Sequence, residues 1–241
     1  MEENKKIEKK EKVIKVVSKI VLYSFIIPIG FLILKIIFPD LWIDSFTRTR
    51  SDYVLMLFQC LLGIFVLLYP NVILSKKMIR IPSTLYLLYV IFLFCAIFLG
   101  EVRNFYYVVP YWDTILHTFS GGMIAALGFS FLSLLNNEDD THLKLTPFFV
   151  AFFAFTFAIT MGVIWEVYEF LADGLLGLNM QKFITENGMV LVGREALMDT
   201  MEDLIVDGIG AFVISTIGYI SLKHKKGWVE KLLLRKERKN K

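Results

Sequence analysis

Cysteine is nearly absent from this 241-residue chain: Cys60 and Cys95 both lie in apolar runs and form no CxxC pair. Neither a disulfide framework nor a thiolate metal centre follows from them. Also missing are the HExxH metalloprotease signature, the Glu-x-x-His repeats of carboxylate-bridged bundles and any nucleophilic Ser or Cys motif, so covalent acyl transfer is disfavoured. The chain has no internal repeat period and no insertion of soluble-domain size.

What it has in excess is apolar surface. Hydrophobic residues make up 56%, above the roughly 45–50% of an ordinary soluble domain, and aromatics reach 15%, with 22 Phe. Together with a mean hydropathy of +0.60, this argues against a soluble globule, a disordered chain, a collagen-like repeat and a nucleic-acid module. The formal net charge of +3 conceals strongly basic ends around an apolar middle, a distribution suited to a bilayer rather than an acidic substrate.

A bilayer core needs about 20 mainly apolar residues per helix. Six stretches qualify, near 20–38, 53–70, 82–100, 114–135, 147–172 and 200–222, so the expected fold is an all-α polytopic membrane bundle. Local chemistry punctuates them: Ser51-Asp52 caps the second, Ile81-Pro82 opens the third, Thr146-Pro147 opens the fifth, and Asn136-Asn137 stops the fourth. The Lys-rich start resembles a signal peptide, but its apolar run continues to Phe38 without an Ala-x-Ala site, which predicts an uncleaved first helix.

Basic residues predict the orientation. With both termini cytoplasmic, the inner segments carry seven Lys before the first span, Lys76, Lys77, Arg80 and Lys144 between spans, and nine basic residues after the last. The opposite loops carry Arg48, Arg50, Arg103, Lys182 and Arg194, and Lys35 lies within a span. The positive-inside rule then predicts a multi-pass protein with both termini cytoplasmic, N-in and C-in. The expected organisation is a basic arm at 1–19, a membrane domain at 20–222 with an external loop near 173–199, and a basic tail at 223–241. The arm and tail read as topology determinants and anchors to anionic lipid rather than nucleic-acid binders. Tyr106, Tyr107, Tyr111 and Trp112 read as an outer interfacial belt, with an aromatic substrate platform as the alternative. Short apolar strands around Asn187-Gly188 predict a hairpin over the outer mouth.

Depth makes the acidic residues informative. Asp113 and His117 share a face of the fourth span; Glu166, Glu169 and Asp173 share one on the fifth; Asp199, Asp203 and Asp207 form a stripe on the sixth. Taking Asp113, Asp173 and Asp199 as a rim, His117, Glu169 and Asp203 fall about 6 Å below it, and Glu166 and Asp207 about 10–12 Å below. A carboxylate in hydrocarbon costs about 2.5–3.5 kcal/mol on insertion scales, so these groups are expected to face one another across a wet cavity. Mutual repulsion then calls for shared protons, a cation or a basic partner. His117, Glu169, Asp203, Glu166 and Asp207 are the candidate ligands of a divalent metal ion, for which hard oxygens and one imidazole suit Mn, Fe or Zn.

Blander roles compete at the rim. Asp113 serves equally as a helix cap, Asp199 with Glu202 as a capping box, and Asp173 as a solvated loop acid. Glu138 to His142 reads as a solvated charge run on the cytoplasmic side. Ser120-Gly121-Gly122 and Gly208-Ile209-Gly210-Ala211 predict close approach of the fourth and sixth spans. Trp165 and Tyr168 are either pocket walls or interface anchors.

Asp113-x-x-x-His117-x-x-x-Gly121, Glu166-x-x-Glu169 and Asp199-Thr200-x-x-Asp203-x-x-x-Asp207-x-x-Gly210-Ala211 resemble the YjdF-like family of bacterial inner-membrane proteins, over roughly residues 50–222. Met201-Glu202-Asp203-Leu204 departs from the family's Asp-Thr-Gln-x-Asp-Met pattern, which keeps Asp203 in register and leaves Glu202 without a carried-over role. The resemblance implies a multi-helix inner-membrane protein and no particular reaction.

Three functions are compatible with these residues. The leading expectation is an outward-facing, metal-assisted enzyme on a lipid-linked or envelope substrate, with Glu166 or Asp207 as general base. The second is a cation or proton transporter using the same acids; the third is a metal-stabilised structural membrane protein. Membrane lipids are the expected partners, nucleic acid is not, and nothing in the sequence specifies an oligomeric state.

Overall fold

Apolar runs of this length have one way to satisfy their backbone groups in hydrocarbon without pairing to a neighbour, which is to coil. The computed structural model describes residues 2–38, 48–76, 79–136, 145–185, 187–228, 232 and 234–236. The expectations placed on Lys77, Asn137, the Glu138 to His142 run, Lys144, Glu186 and most of the basic tail beyond Trp228 lie outside the described residues. Six helices are long and apolar enough to cross a membrane, and the fold is an all-α polytopic membrane bundle.

Helix α1 runs from Glu2 to Ile37, so the basic arm is continuous with the first span rather than separate from it. Glu8 and Lys12, and Glu11 and Lys15, are spaced i,i+4, the order that supports an exposed helix. Helix α2 (Arg50–Lys76) starts one residue before the expected Ser51-Asp52 cap, and Asp52 caps it together with Thr49. The Thr49 N–H donates to Asp52 Oδ2 (2.6 Å) and the Asp52 N–H to Thr49 Oγ1 (3.4 Å), a reciprocal cap in which Asp52 takes the place usual for Glu. Helix α3 (Ser83–Leu93) follows Pro82 and continues as a π-helical stretch, Phe94–Val102. A short α4 (Phe105–Val108) leads into α5 (Trp112–Asn136). Helix α6 (Pro147–Leu176) has Pro147 in its first turn and Thr146 as its cap, accepting from Phe149 N at 3.2 Å, and it ends at Gly177, whose φ of 65° suits glycine. A 3₁₀ turn, Glu195–Leu197, precedes α7 (Met198–Lys223). Two-residue strands β1 (Ile79–Arg80) and β2 (Arg235–Lys236) pair antiparallel.

The helices form two packed triplets. Phe25, Leu32, Cys60, Leu67 and Val90 make the buried core of α1, α2 and α3. Ala125, Ala158 and Ala211, one from each of α5, α6 and α7, form a fully buried layer in the second triplet. Small side chains there let backbones touch, and van der Waals packing replaces the hydrophobic effect that lipid cannot supply. A Cβ on Gly121 would collide with the Asp207 backbone, and one on Gly210 with the Thr118 carbonyl, so α5 and α7 meet at van der Waals distance. Ile27, Phe148, Phe170 and Phe212 are among many exposed apolar side chains on the bundle's outside, a surface suited to lipid.

Candidate functional site

The close approach of α5 and α7 creates the setting for His117. Asp113 and His117 lie one turn apart on α5, and Asp203 and Asp207 one turn apart on α7, so each helix presents a ladder of two polar groups to the other. His117 Nδ1 is 3.4 Å from Asp207 Oδ2; its Nε2 is 3.7 Å from Asp113 Oδ1 and 3.6 Å from Asp203 Oδ2. Ser120, three residues after His117, donates to the other Asp207 oxygen at 2.9 Å. Asp207 is further confined by Gly162 of α6, where a Cβ would stand 2.9 Å from Oδ2. The ring thus turns Nδ1 to Asp207 and Nε2 to Asp113 and Asp203.

Among the described residues, the group whose ligand atoms all lie within 4.8 Å of one another is Asp113, His117 and Asp203. Asp113 thus joins the histidine rather than standing apart at the rim, and it sits in the first turn of α5, inside the helix. Glu166 is 5% exposed and both its oxygens are buried without a hydrogen-bond partner. It lies within electrostatic range of His117, Asp207 and Asp113, and the nearby Thr200 hydroxyl accepts from Gln181 at 2.7 Å. Glu169 is buried and faces Lys182, Glu166, Asp113 and His117 electrostatically, without joining the close group.

Two rim residues behave differently from their blander readings. Asp173, 8% exposed, is no solvated loop acid: its Oδ1 accepts from Met180 N (2.7 Å) and its Oδ2 from Gln181 N (2.9 Å). It anchors the loop after α6 rather than facing His117. Asp199 does not cap α7, whose N-cap is Leu197 with no side-chain hydrogen bond; its Oδ2 is buried without a partner.

That loop folds back over the site. Asn179 binds Ile184 through its amide group (Nδ2 to the carbonyl, 2.7 Å; Oδ1 from the N–H, 2.9 Å), and Gln181 reaches Thr200 on α7. The expected hairpin is reduced to one antiparallel bridge, Ile184 with Val190. Ile184 and Thr185 from this loop help line a cavity of about 450 Å³, whose acidic wall is Asp113, Asp199, Glu202 and Asp203. Tyr106, Tyr107, Tyr111 and Trp112 line it too, with Tyr106 seated on Gly100 of the π-helical stretch. Trp165 and Tyr168 pair with each other at 5.2 Å and are not among the cavity's lining residues.

Lys182 is the residue that sequence reasoning passed over. Its Nζ projects into the cavity 4.8 Å from the centre of the Tyr106 ring and 5.9 Å from that of Tyr107, and donates to the Met180 carbonyl at 3.2 Å. Burial pulls its pKa down, but Glu101, Asp113, Tyr107 and Asp199 outweigh that and hold it well above the ordinary lysine value. Burial, reinforced by Asp113 and Glu101, also pushes the Tyr106 phenol well above its usual range. Glu101 was missed as well: it ends the third span, accepts from Gln59 Nε2 at 3.3 Å, and brings a charge from the first helix triplet toward the loop. Ser120 was legible as a neighbour, lying i,i+3 from His117, but only its packing role was assigned.

A multi-pass membrane protein with a histidine–carboxylate group held between three of its helices is the class these features define. Residues 30–224 match the family described as "Predicted membrane protein (DUF2238)", and the chain belongs to that family. A Thermotoga maritima protein named "Uncharacterized protein" is 31% identical over 121 residues, 50% of this chain and 54% of that protein's length. The chain thus matches about half the length of that relative. No solved structure matches the chain.

Proposed function

We propose that Asp113, His117 and Asp203 bind a divalent metal ion at the base of an outward-opening cavity, and that the protein is a metal-assisted enzyme acting on a lipid-linked or envelope substrate. The observation that carries this is the division of labour at His117: Nδ1 is held by Asp207, and Nε2 faces two carboxylates. A carboxylate on the far ring nitrogen is the usual support for a metal-bound histidine. Separations of 3.6 and 3.7 Å are too long for hydrogen bonds. They are close to the roughly 3.3–3.6 Å between ligand atoms around a tetrahedral ion with bonds of about 2.0–2.2 Å.

Asp207 then acts as a positioning residue, itself held by Ser120. Glu166, buried beside Thr200, is the candidate proton acceptor for a metal-bound water, and Glu169 lies one turn further along α6. The metal would polarise a phosphoryl or carbonyl oxygen, or lower the pKa of that water. The excess of Lys and Arg at the opposite end of the bundle supports an outward-facing site. The apolar alanine layer one turn below Asp207 favours local chemistry over transport through the bundle.

Metal analysis of the purified full chain after loading with Mn, Fe or Zn tests the site. One ion per chain is expected in wild type, and a loss in His117→Ala/Asp203→Asn. Equal contents in the two proteins overturn the metal reading. Headgroup or phosphate release from membrane lipid extracts, absent in Asp203→Asn, is expected of the enzyme; ion flux in sealed vesicles without such turnover overturns it.

A further inference from the structure

The cavity above His117 has a composition that the metal does not explain. Four carboxylates, Asp113, Asp199, Glu202 and Asp203, line it against one ammonium, Lys182. Even with Asp113 and Asp203 assigned to a divalent ion, Asp199 and Glu202 leave negative charge in excess. The remaining wall is aromatic, and aromatic faces attract cations through the ring quadrupole within about 6 Å. The ring of Tyr106 already holds a cation at 4.8 Å, and that cation belongs to the chain itself.

Its delivery is costly and specific. Lys182 has φ of 50°, a left-handed conformation that a residue with a Cβ rarely adopts. Asp173, Asn179 and Gln181 hold the loop on either side of it in place. Asp199, on the wall of the same cavity, has its Oδ2 buried without a hydrogen-bond partner, an acceptor that interacts with Lys182 electrostatically but is not hydrogen-bonded to it.

We propose that this aromatic and acidic cavity is a seat for an organic ammonium group of the substrate, and that Lys182 occupies the seat as a tethered surrogate which the incoming ammonium displaces. The seat deepens the reading of the site by naming a substrate class, and in that sense rests on it. An ethanolamine-type group, free or carried on a lipid, has the chemistry required: an ammonium for the aromatic wall, with the adjoining oxygen-bearing part directed toward His117.

Binding is measured calorimetrically on the metal-free full chain in detergent, so that the seat and the metal are judged separately. Ethanolamine and tetramethylammonium are the probes, and inorganic phosphate is the control. Lys182→Met is expected to bind the ammonium probes about tenfold tighter or more, because the internal competitor is gone. Tyr106→Leu is expected to bind them about 2- to 30-fold weaker. Unchanged or weaker ammonium binding in Lys182→Met overturns the proposal. So does phosphate binding that disappears in that variant, which would make Lys182 an anion contact. Should Lys182→Met not fold, the wild-type and Tyr106→Leu pair decides alone, equal affinities being the overturning result. Nanodiscs of phosphatidylglycerol with and without phosphatidylethanolamine separate the sources: competition by the ethanolamine lipid assigns a lipid headgroup, and its absence a soluble amine. If ammonium binds normally while no metal does, the seat stands and the metal reading falls.

Discussion

Replacing Gly121 by alanine tests the contact that brings His117 and Asp207 together. A methyl there would stand 2.8 Å from the Asp207 Cα and 2.9 Å from its carbonyl carbon, besides striking the carbonyl oxygen. Carbon atoms in comfortable contact are about 3.5–4.0 Å apart, so α5 and α7 must separate by roughly 0.7–1 Å. Inserting a methyl into a closed contact costs about 1–3 kcal/mol. Alanine also gains up to about 1 kcal/mol of helix propensity over glycine, which would blur a comparison with wild type. Gly208→Ala removes that difficulty: it lies on α7, and its Cβ would meet only Ile159 Cδ1 at 3.4 Å, an ordinary contact. The propensity gains cancel between the two variants, leaving the clash. At about 2–4 °C per kcal/mol for a chain of this size, Gly121→Ala should melt about 2–12 °C below Gly208→Ala in detergent. The Ser120–Asp207 bond (2.9 Å) and the His117–Asp207 contact (3.4 Å) should open with it, lowering metal affinity by about 10- to 100-fold. Equal melting temperatures would refute the backbone contact between α5 and α7; a lower melting temperature with unchanged metal affinity would refute its link to His117.

Two further outcomes follow from the loop. Asp173→Ala removes the acceptor for Met180 N and Gln181 N, each a hydrogen bond to a charged group worth about 1.5–3 kcal/mol; trypsin should cleave after the exposed Arg194 at least tenfold faster, and an unchanged rate would show that Asp173 does not hold the loop. Stability should also fall as pH rises above about 10. The folded state retains protons on Lys182 and Tyr106 where the unfolded chain releases them, so the contribution of Lys182 is fully present below about pH 10.4 and disappears as pH climbs through its raised folded value. Each group adds a slope of up to about 1.4 kcal/mol per pH unit, readable as a melting temperature that drops between pH 9 and pH 11, and a smaller drop in Lys182→Met checks the assignment.

The linear chain determined the membrane architecture, because hydrocarbon demands long uninterrupted apolar helices and Thr146-Pro147 and Pro82 mark where such helices begin. It also determined which acids share a helix face, since Asp113 with His117 and Asp203 with Asp207 need only a fixed residue spacing. What spacing could not determine is the rotation and separation of one helix against another. Gly121 and Gly210 set those by letting α5 and α7 touch, and that contact selects Asp113, Asp203 and Asp207 around His117 while leaving Glu169 outside the close group. The part played by Asp173 was equally hidden, because its partners are backbone N–H groups of a turn that exists only once the loop has folded. Lys182 lies in that same loop, with no periodicity to give it a face; tertiary structure alone turned a residue that looked like an external charge into the cation of the cavity.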